Sequence, residues 1–314
     1  MTTLSRRSAP EAAPAPATEP EPYRAPDPAP PVLALDGVRI TDRATGRELV
    51  HGIGFTLAAG RTVGIVGESG SGKTLTCRAA LGILPPHFAV SGGRIEIDGS
   101  DIAGFTPARW TALRGTTLGA VFQDPASYLN PSLPVGRQIA EVLRVKRGLT
   151  RREARRRVPE LLRQVQLREP RLVAGQYPHE LSGGMLQRIL IATALAAGPR
   201  LLIADEATTA LDVTVQAEIL DLLADLREET GLALVVVSHD LAVVAQLCDE
   251  VLVMRQGEVV EQGPVQEVLH RPRHPYTRLL LSEHEQYGLE RLLGPEDPAD
   301  AGAPARDDDE EKVL

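Results

Sequence analysis

Apolar positions along the chain fall into runs of two kinds. Residues 62–66, 117–122, 201–204 and 233–237 are apolar almost without a break. Such runs predict strands of a parallel sheet covered by helices on both faces. Residues 32–40, 54–57 and 94–98 are shorter segments separated by turn signals such as Asp98-Gly99, and they predict an antiparallel sheet beside the first. Helical patterns follow several of the buried runs, over 72–84, 213–229 and 241–247. Residues 135–181 read as mostly helical and heavily charged, which predicts a separate helical lobe. The class is α/β.

The flanks differ. Residues 1–31 are dominated by Pro, Ala and Glu, and the chain closes on an acidic run, Asp307 to Glu311. Neither segment has the apolar content to offset its ordering entropy, so a disordered tail is expected at 1–31 and an extension with a disordered acidic end at 282–314. The folded unit is expected over 32–281. Aromatic residues make up 3% of the chain, so its core rests on Leu, Val, Ile and Ala. A net charge of −8 argues against general nucleic-acid binding. The two cysteines, Cys77 and Cys248, suggest neither a disulfide framework nor a metal cluster. No apolar run reaches the length of about 18 residues that a membrane helix needs, so any membrane association is expected to be peripheral. The arginine-rich stretch 151–157 reads as a solvated helix face.

Chemistry concentrates at two places. Gly67, Glu68, Ser69, Gly70, Ser71, Gly72, Lys73 and Thr74 fit the phosphate-loop pattern G-x-x-x-x-G-K-[ST] at every position, between a predicted strand and a predicted helix. Glycines there let backbone N–H groups approach phosphates, and the helix N-terminus adds partial positive charge. Lys73 is placed to reach the β- and γ-phosphates, and the Thr74 hydroxyl to bind Mg²⁺. The run 201–204 then delivers Asp205 and Glu206 to the carboxyl end of a buried strand, where ligands of open α/β sheets bind. Asp205 is placed to hold Mg²⁺, and Glu206 to orient or deprotonate an attacking water.

The segment Leu181-Ser182-Gly183-Gly184-Met185-Leu186-Gln187-Arg188 resembles the signature motif of ABC ATPases. Ser182 is suited to cap a helix whose first N–H groups, at Gly183 and Gly184, stay open to an anion. Other elements of that family fall in order. Gln123 matches its Q-loop glutamine, a ligand of Mg²⁺ and of the attacking water. Ala210-Leu211-Asp212 matches its D-loop, and His239 matches its switch histidine, which grips the γ-phosphate.

The resemblance covers about 32–281 and implies an ABC cassette of the P-loop NTPase class. Its expected parts are a RecA-like mixed sheet core, an antiparallel β subdomain and a helical signature lobe. It implies ATP and Mg²⁺ as cofactors, with Glu206, His239 and Gln123 catalytic. It also implies that Ser182, Gly183, Gly184 and Gln187 complete the ATP site of a second, distinct ATPase subunit, with Asp212 crossing between the two. Two transmembrane permease subunits, an extracytoplasmic substrate-binding protein and a peripheral place on the cytoplasmic face of the cell membrane follow. Two positions depart from the family pattern. Residues 38–43 hold no aromatic for adenine, leaving Arg39 or Arg43 as candidate substitutes, and Ala207 stands where proline usually follows the glutamate.

Smaller motifs resemble the peptide/nickel importer group: Gln123-Asp124-Pro125, Leu129-Asn130-Pro131, Glu261-Gln262-Gly263 and His274-Pro275-Tyr276-Thr277. Met185-Leu186-Gln187-Arg188 and Tyr287-Gly288-Leu289-Glu290 are most similar to the nickel-import ATPase. Peptide and nickel both stand as cargo. The alternative class is a soluble ABC ATPase of the translation or DNA-repair type. A single cassette without sustained heptads speaks against it.

Overall fold

A computed structural model describes residues 30–208 and 211–285. Residues 1–29 and 286–314 of the expected tails lie outside these residues; Pro30 and Pro31 are described, and the last helix runs on to Glu285, past the expected boundary at 281.

The chain opens with two ten-residue strands, β1 (Leu33–Asp42) and β2 (Glu48–Leu57), followed by the buried β3 (Thr62–Val66). Helix α1 (Lys73–Ala80) leads to β4 (Phe88–Ile97), the short β5 (Ser100–Asp101) and α2 (Pro107–Thr116). After β6 (Leu118–Phe122) come three helices, α3 (Val135–Arg147), α4 (Arg151–Gln164) and α5 (Pro170–Val173). Helix α6 (Gly183–Leu195) enters β7 (Leu201–Asp205), and α7 (Val213–Thr230) enters β8 (Ala233–Ser238). The chain continues through α8 (Leu241–Leu247), β9 (Glu250–Arg255), β10 (Glu258–Pro264), α9 (Val265–His270) and α10 (Pro275–Glu285).

Two sheets result. A four-stranded antiparallel sheet has the order β2-β1-β4-β5. The second has the order β10-β9-β3-β8-β7-β6, its five strands from β9 to β6 mutually parallel and β10 antiparallel at the edge. Every residue of β3, β7 and β8 is buried, which explains the unbroken apolar runs. Their side chains still alternate between two cores. Leu202, Ala204, Leu234 and Val236 pack with the helical lobe, whereas Leu201, Ile203, Val235 and Val237 pack with α1 and the antiparallel sheet. A third core joins α8, α9 and α10 to β9.

Several expected bounds are corrected. The second strand begins at Glu48 rather than at 54: Gly52 and Gly54 interrupt the apolar pattern and fall at irregularities in the pairing to β1, which resumes on either side. The helix expected over 72–84 stops at Ala80, where Gly82 takes a left-handed φ of 63° and two prolines follow. Strands β9 and β10 and helix α2 were not anticipated. The lobe expected at 135–181 is helical throughout α3, α4 and α5, and it gains α6. On α4 the arginines at 151, 152, 155, 156 and 157 are all exposed, in keeping with a solvated face.

Candidate nucleotide site

The phosphate loop leaves β3 at Gly67 and ends at Gly72, the N-cap of α1. Gly67, Gly70 and Gly72 all hold positive φ, at 147°, 82° and 102°, a region that side-chain-bearing residues rarely enter. A Cβ on Gly67 would lie 2.0 Å from the Met254 carbonyl oxygen, so the turn leaves no room for another residue. Gly72 caps α1 with no side chain, and the first turn of the helix keeps its N–H groups for an incoming anion. The buried Ser71 Oγ has no hydrogen-bond partner among the described residues. Orphan donors and a buried hydroxyl at one loop fit a phosphate chain.

Lys73 is 4% exposed, and its Nζ donates to the carbonyls of Gly67 and Glu68 at 2.7 and 2.9 Å. Burial pulls its pKa down against the attraction of Glu206, Asp205 and Glu68. The Thr74 hydroxyl donates to Asp205 Oδ1 at 3.0 Å, which joins the loop to the end of β7. Burial raises the Asp205 pKa, the Thr74 hydrogen bond opposes it, and the neighbouring Glu206 adds to the rise. A hydroxyl and a carboxylate converging at a buried point are the hard oxygen donors that Mg²⁺ takes, and a cation there would relieve the buried charge.

Glu206 sits one residue beyond β7 at φ 51°, unusual for a non-glycine, and its N–H donates to the Val237 carbonyl. That bond fixes its backbone to β8, so its side chain projects from a held position. A cleft of about 420 Å³ is lined by Ser69, Thr74, Gln123, Asp205 and Glu206, together with Arg78. The structure therefore brings together the phosphate loop, the acidic pair and the glutamine after β6.

His239 follows β8 directly. The register pairs Asp205 with Val237, so His239 stands at the same sheet edge as Glu206, exposed and outside the cleft lining. The signature segment does not line the cleft within one chain. Ser182 caps α6, accepting from the Met185 N–H at 3.4 Å, with Gly183 exposed beside it. Gly184 has a packing reason as well: a Cβ there would meet Val215 Cγ1 at 2.6 Å, on helix α7. Gln187 departs from expectation. It is 1% exposed, so the structure does not bring it to the signature surface. Asp212 caps α7, accepting from the Val215 N–H at 3.0 Å, while Ala210 lies outside the described residues. Of the two arginines considered for adenine, Arg39 pairs with Glu48 at 2.6 Å.

Arg78, which no motif marks, lines the cleft and draws the Asp205 pKa down. Helical spacing could have found it, since Arg78 lies four residues after Thr74 on the same face of α1. Tyr276 likewise joins the site unmarked as a site residue, its hydroxyl accepting from the Glu68 N–H at 2.9 Å.

Comparison with known proteins agrees with this geometry. Residues 50–209 match the ABC transporter family, and residues 260–295 match the C-terminal region of the oligopeptide/dipeptide transporter family. A Brucella ovis protein named for peptide import and ATP binding is 46% identical over 266 residues, covering 82% of this chain and 79% of its own length. The oligopeptide transport ATP-binding protein OppD of Bacillus subtilis is 42% identical over 284 residues, covering 88% and 79%. Among solved structures, cbiO1 of Clostridium perfringens, part of the cbiONQ ABC transporter complex, superposes with a TM-score of 0.68 at 28% identity, covering 84% of this chain and 98% of that one. The dimeric cassette MJ0796 bound to ADP and Pi gives 0.65 at 30% identity, covering 74% and 98%. The phosphate loop, the acidic strand end and the signature helix thus sit in a familiar frame, and the chain belongs to the ATP-binding, ATP-hydrolysing proteins of the ABC transporter family.

Proposed function

We propose that this chain energises the import of peptides. The observation that carries the site is the Thr74–Asp205 hydrogen bond, which closes a phosphate cradle against an acidic strand end. The match of residues 260–295 and the names of the relatives support the cargo class, favouring peptides over nickel and transport over a free-standing ATPase.

In this reading the amides of residues 69–74 and the Lys73 ammonium hold the phosphates of ATP. Thr74, Asp205 and Gln123 are the Mg²⁺ ligands; the ion, when bound, neutralises charge on the phosphates. Glu206 orients the attacking water and takes its proton, and His239 holds the γ-phosphate from the end of β8. Little covalent work falls to the protein, so placement of donors governs the rate. Ser182 and Gly183, exposed at the start of α6, close the ATP site of a second ATPase subunit, and Asp212 lies at the crossing. Arg43 stands as the candidate for stacking on adenine, because Arg39 is held by Glu48. Permease subunits and a substrate-binding protein complete the importer, and the chain is peripheral at the cytoplasmic face. Among the described residues no helix is long and apolar enough to cross a membrane.

Uptake of a labelled oligopeptide and of labelled nickel, compared between wild-type cells and cells carrying Lys73→Ala, tests the reading. Loss of peptide uptake alone supports it. Loss of nickel uptake alone would reassign the cargo, and copurification with ribosomes or DNA would overturn the transport assignment.

A further inference from the structure

The phosphate loop is held from outside as well as from within. Gly67 lies against the Met254 carbonyl of β9, and the Gly257 N–H donates to the Ser71 carbonyl at 3.0 Å. The remaining hold comes from the far end of the chain. The Glu68 N–H donates to Tyr276 Oη at 2.9 Å, a contact between residues 208 positions apart.

Tyr276 is itself well anchored. It is 5% exposed within the core shared by α8, α9 and α10, and the Arg255 guanidinium lies 4.8 Å from its ring centroid. Its own N–H donates to His274 Nδ1 at 3.1 Å. The Glu261 carboxylate of β10 accepts from the N–H groups of Arg273 and His274 at 2.8 and 3.0 Å. Residues 273–276 are thereby fixed to β10 on one side and to the phosphate loop on the other. Glu68 matters because its carbonyl is one of two that hold Lys73 Nζ. Fixing the Glu68 backbone fixes an acceptor of the ammonium.

We propose that Tyr276 is a positioning residue of the phosphate site: its hydroxyl anchors Glu68, Glu68 sets the Lys73 ammonium, and the C-terminal segment thereby tunes affinity for nucleotide phosphates. The inference rests on the assignment of residues 67–74 to the phosphates of ATP. Tyr276 touches no reacting atom, and the tether is present with ground state and transition state alike. Its loss therefore weakens binding more than turnover.

The test uses the purified full-length chain with Tyr276→Phe, which keeps the ring and its contact with Arg255 and removes only the acceptor. The expected result is a rise of about threefold to tenfold in KM for ATP and in Kd for fluorescent ATP and ADP analogues, the size of one lost hydrogen bond. The kcat stays within about twofold, by the same ground-state argument. Glu261→Gln, which loosens the segment without altering the ring, shifts KM in the same direction. An unchanged KM and Kd, or a lowered Tm with no change in KM, overturns the proposal and leaves Tyr276 as packing. Lys73→Ala separates the two layers. Normal ATP binding by Lys73→Ala would remove the site assignment itself. Loss of binding there, with Tyr276→Phe silent, would remove only the tether.

Discussion

The Thr74 hydroxyl and the Asp205 carboxylate meet at 3.0 Å, although 131 positions separate them in the chain. Thr74 starts a helix and Asp205 ends a strand, so their contact requires β3, β7 and β8 to be in register. Asp205 carries a charge that burial opposes. In the nucleotide-free chain that charge costs stability that a neutral amide would not. Asp205→Asn keeps an acceptor for Thr74 and should raise the Tm of the nucleotide-free protein while lowering Mg²⁺-dependent ATP hydrolysis at least tenfold, roughly the worth of one metal-coordinating charge. Thermal melts and phosphate release on the same preparation check both directions.

Lys73 is buried, and its hydrogen-bond partners among the described residues are two carbonyls of its own loop, which leaves its third proton for a phosphate. Lys73→Ala should retain the fold and lose ATP affinity by at least about tenfold, the scale of a charge-assisted hydrogen bond. Equilibrium titration with a fluorescent ATP analogue, alongside a melt, measures this.

Gly184 is close-packed on Val215. An alanine there would place its Cβ 2.6 Å from Val215 Cγ1. Gly184→Ala should destabilise the chain by about 1–3 kcal/mol through overpacking. Adding Val215→Ala should restore much of the loss, since the clash lies with that one side chain. A double-mutant cycle by denaturant unfolding reads the coupling, and additive effects would contradict the packing account.

Burial pushes the Glu261 carboxyl up, but the Arg273 N–H, the Thr277 side chain, the His274 N–H and the charge of His274 together leave the pKa lowered. A depressed carboxylate stabilises the fold above its unfolded-state pKa and loses that contribution as pH falls through the folded-state value. Glu261→Gln should therefore lower Tm at pH 7, and the gap to wild type should close below about pH 4, near the ordinary range for glutamate. Melts across that window test the sign.

Much of the core was legible because β3, β7 and β8 are buried on both faces and so carry no polar break. Strand β10 was hidden for the opposite reason: it lies at the sheet edge and none of its residues is buried. Strand β9 carries a buried apolar run of the same kind, Val251 to Met254, but it is only four residues long between Glu250 and Arg255. Helix α2 offers little apolar pattern, buries no residue and is kinked at Arg114 and Gly115. At the site, Lys73 and Thr74 were legible as a local motif at a helix start, and Asp205 and Glu206 as one at a strand end. The burial of Gln187 was not legible, because a motif gives spacing without saying which side of the helix is buried. The Tyr276–Glu68 contact was beyond reach, since nothing local marks a pairing across 208 positions.

The most direct test of the central claim, ATP hydrolysis driven by Glu206 in a cleft built by the phosphate loop and β7, is single-turnover phosphate release from Glu206→Gln with ATP affinity measured in the same sample. Release should slow by about 10²–10⁴-fold, the usual worth of a positioned general base, with ATP still bound. Phosphate release at the wild-type rate from a variant that binds ATP normally would contradict the account.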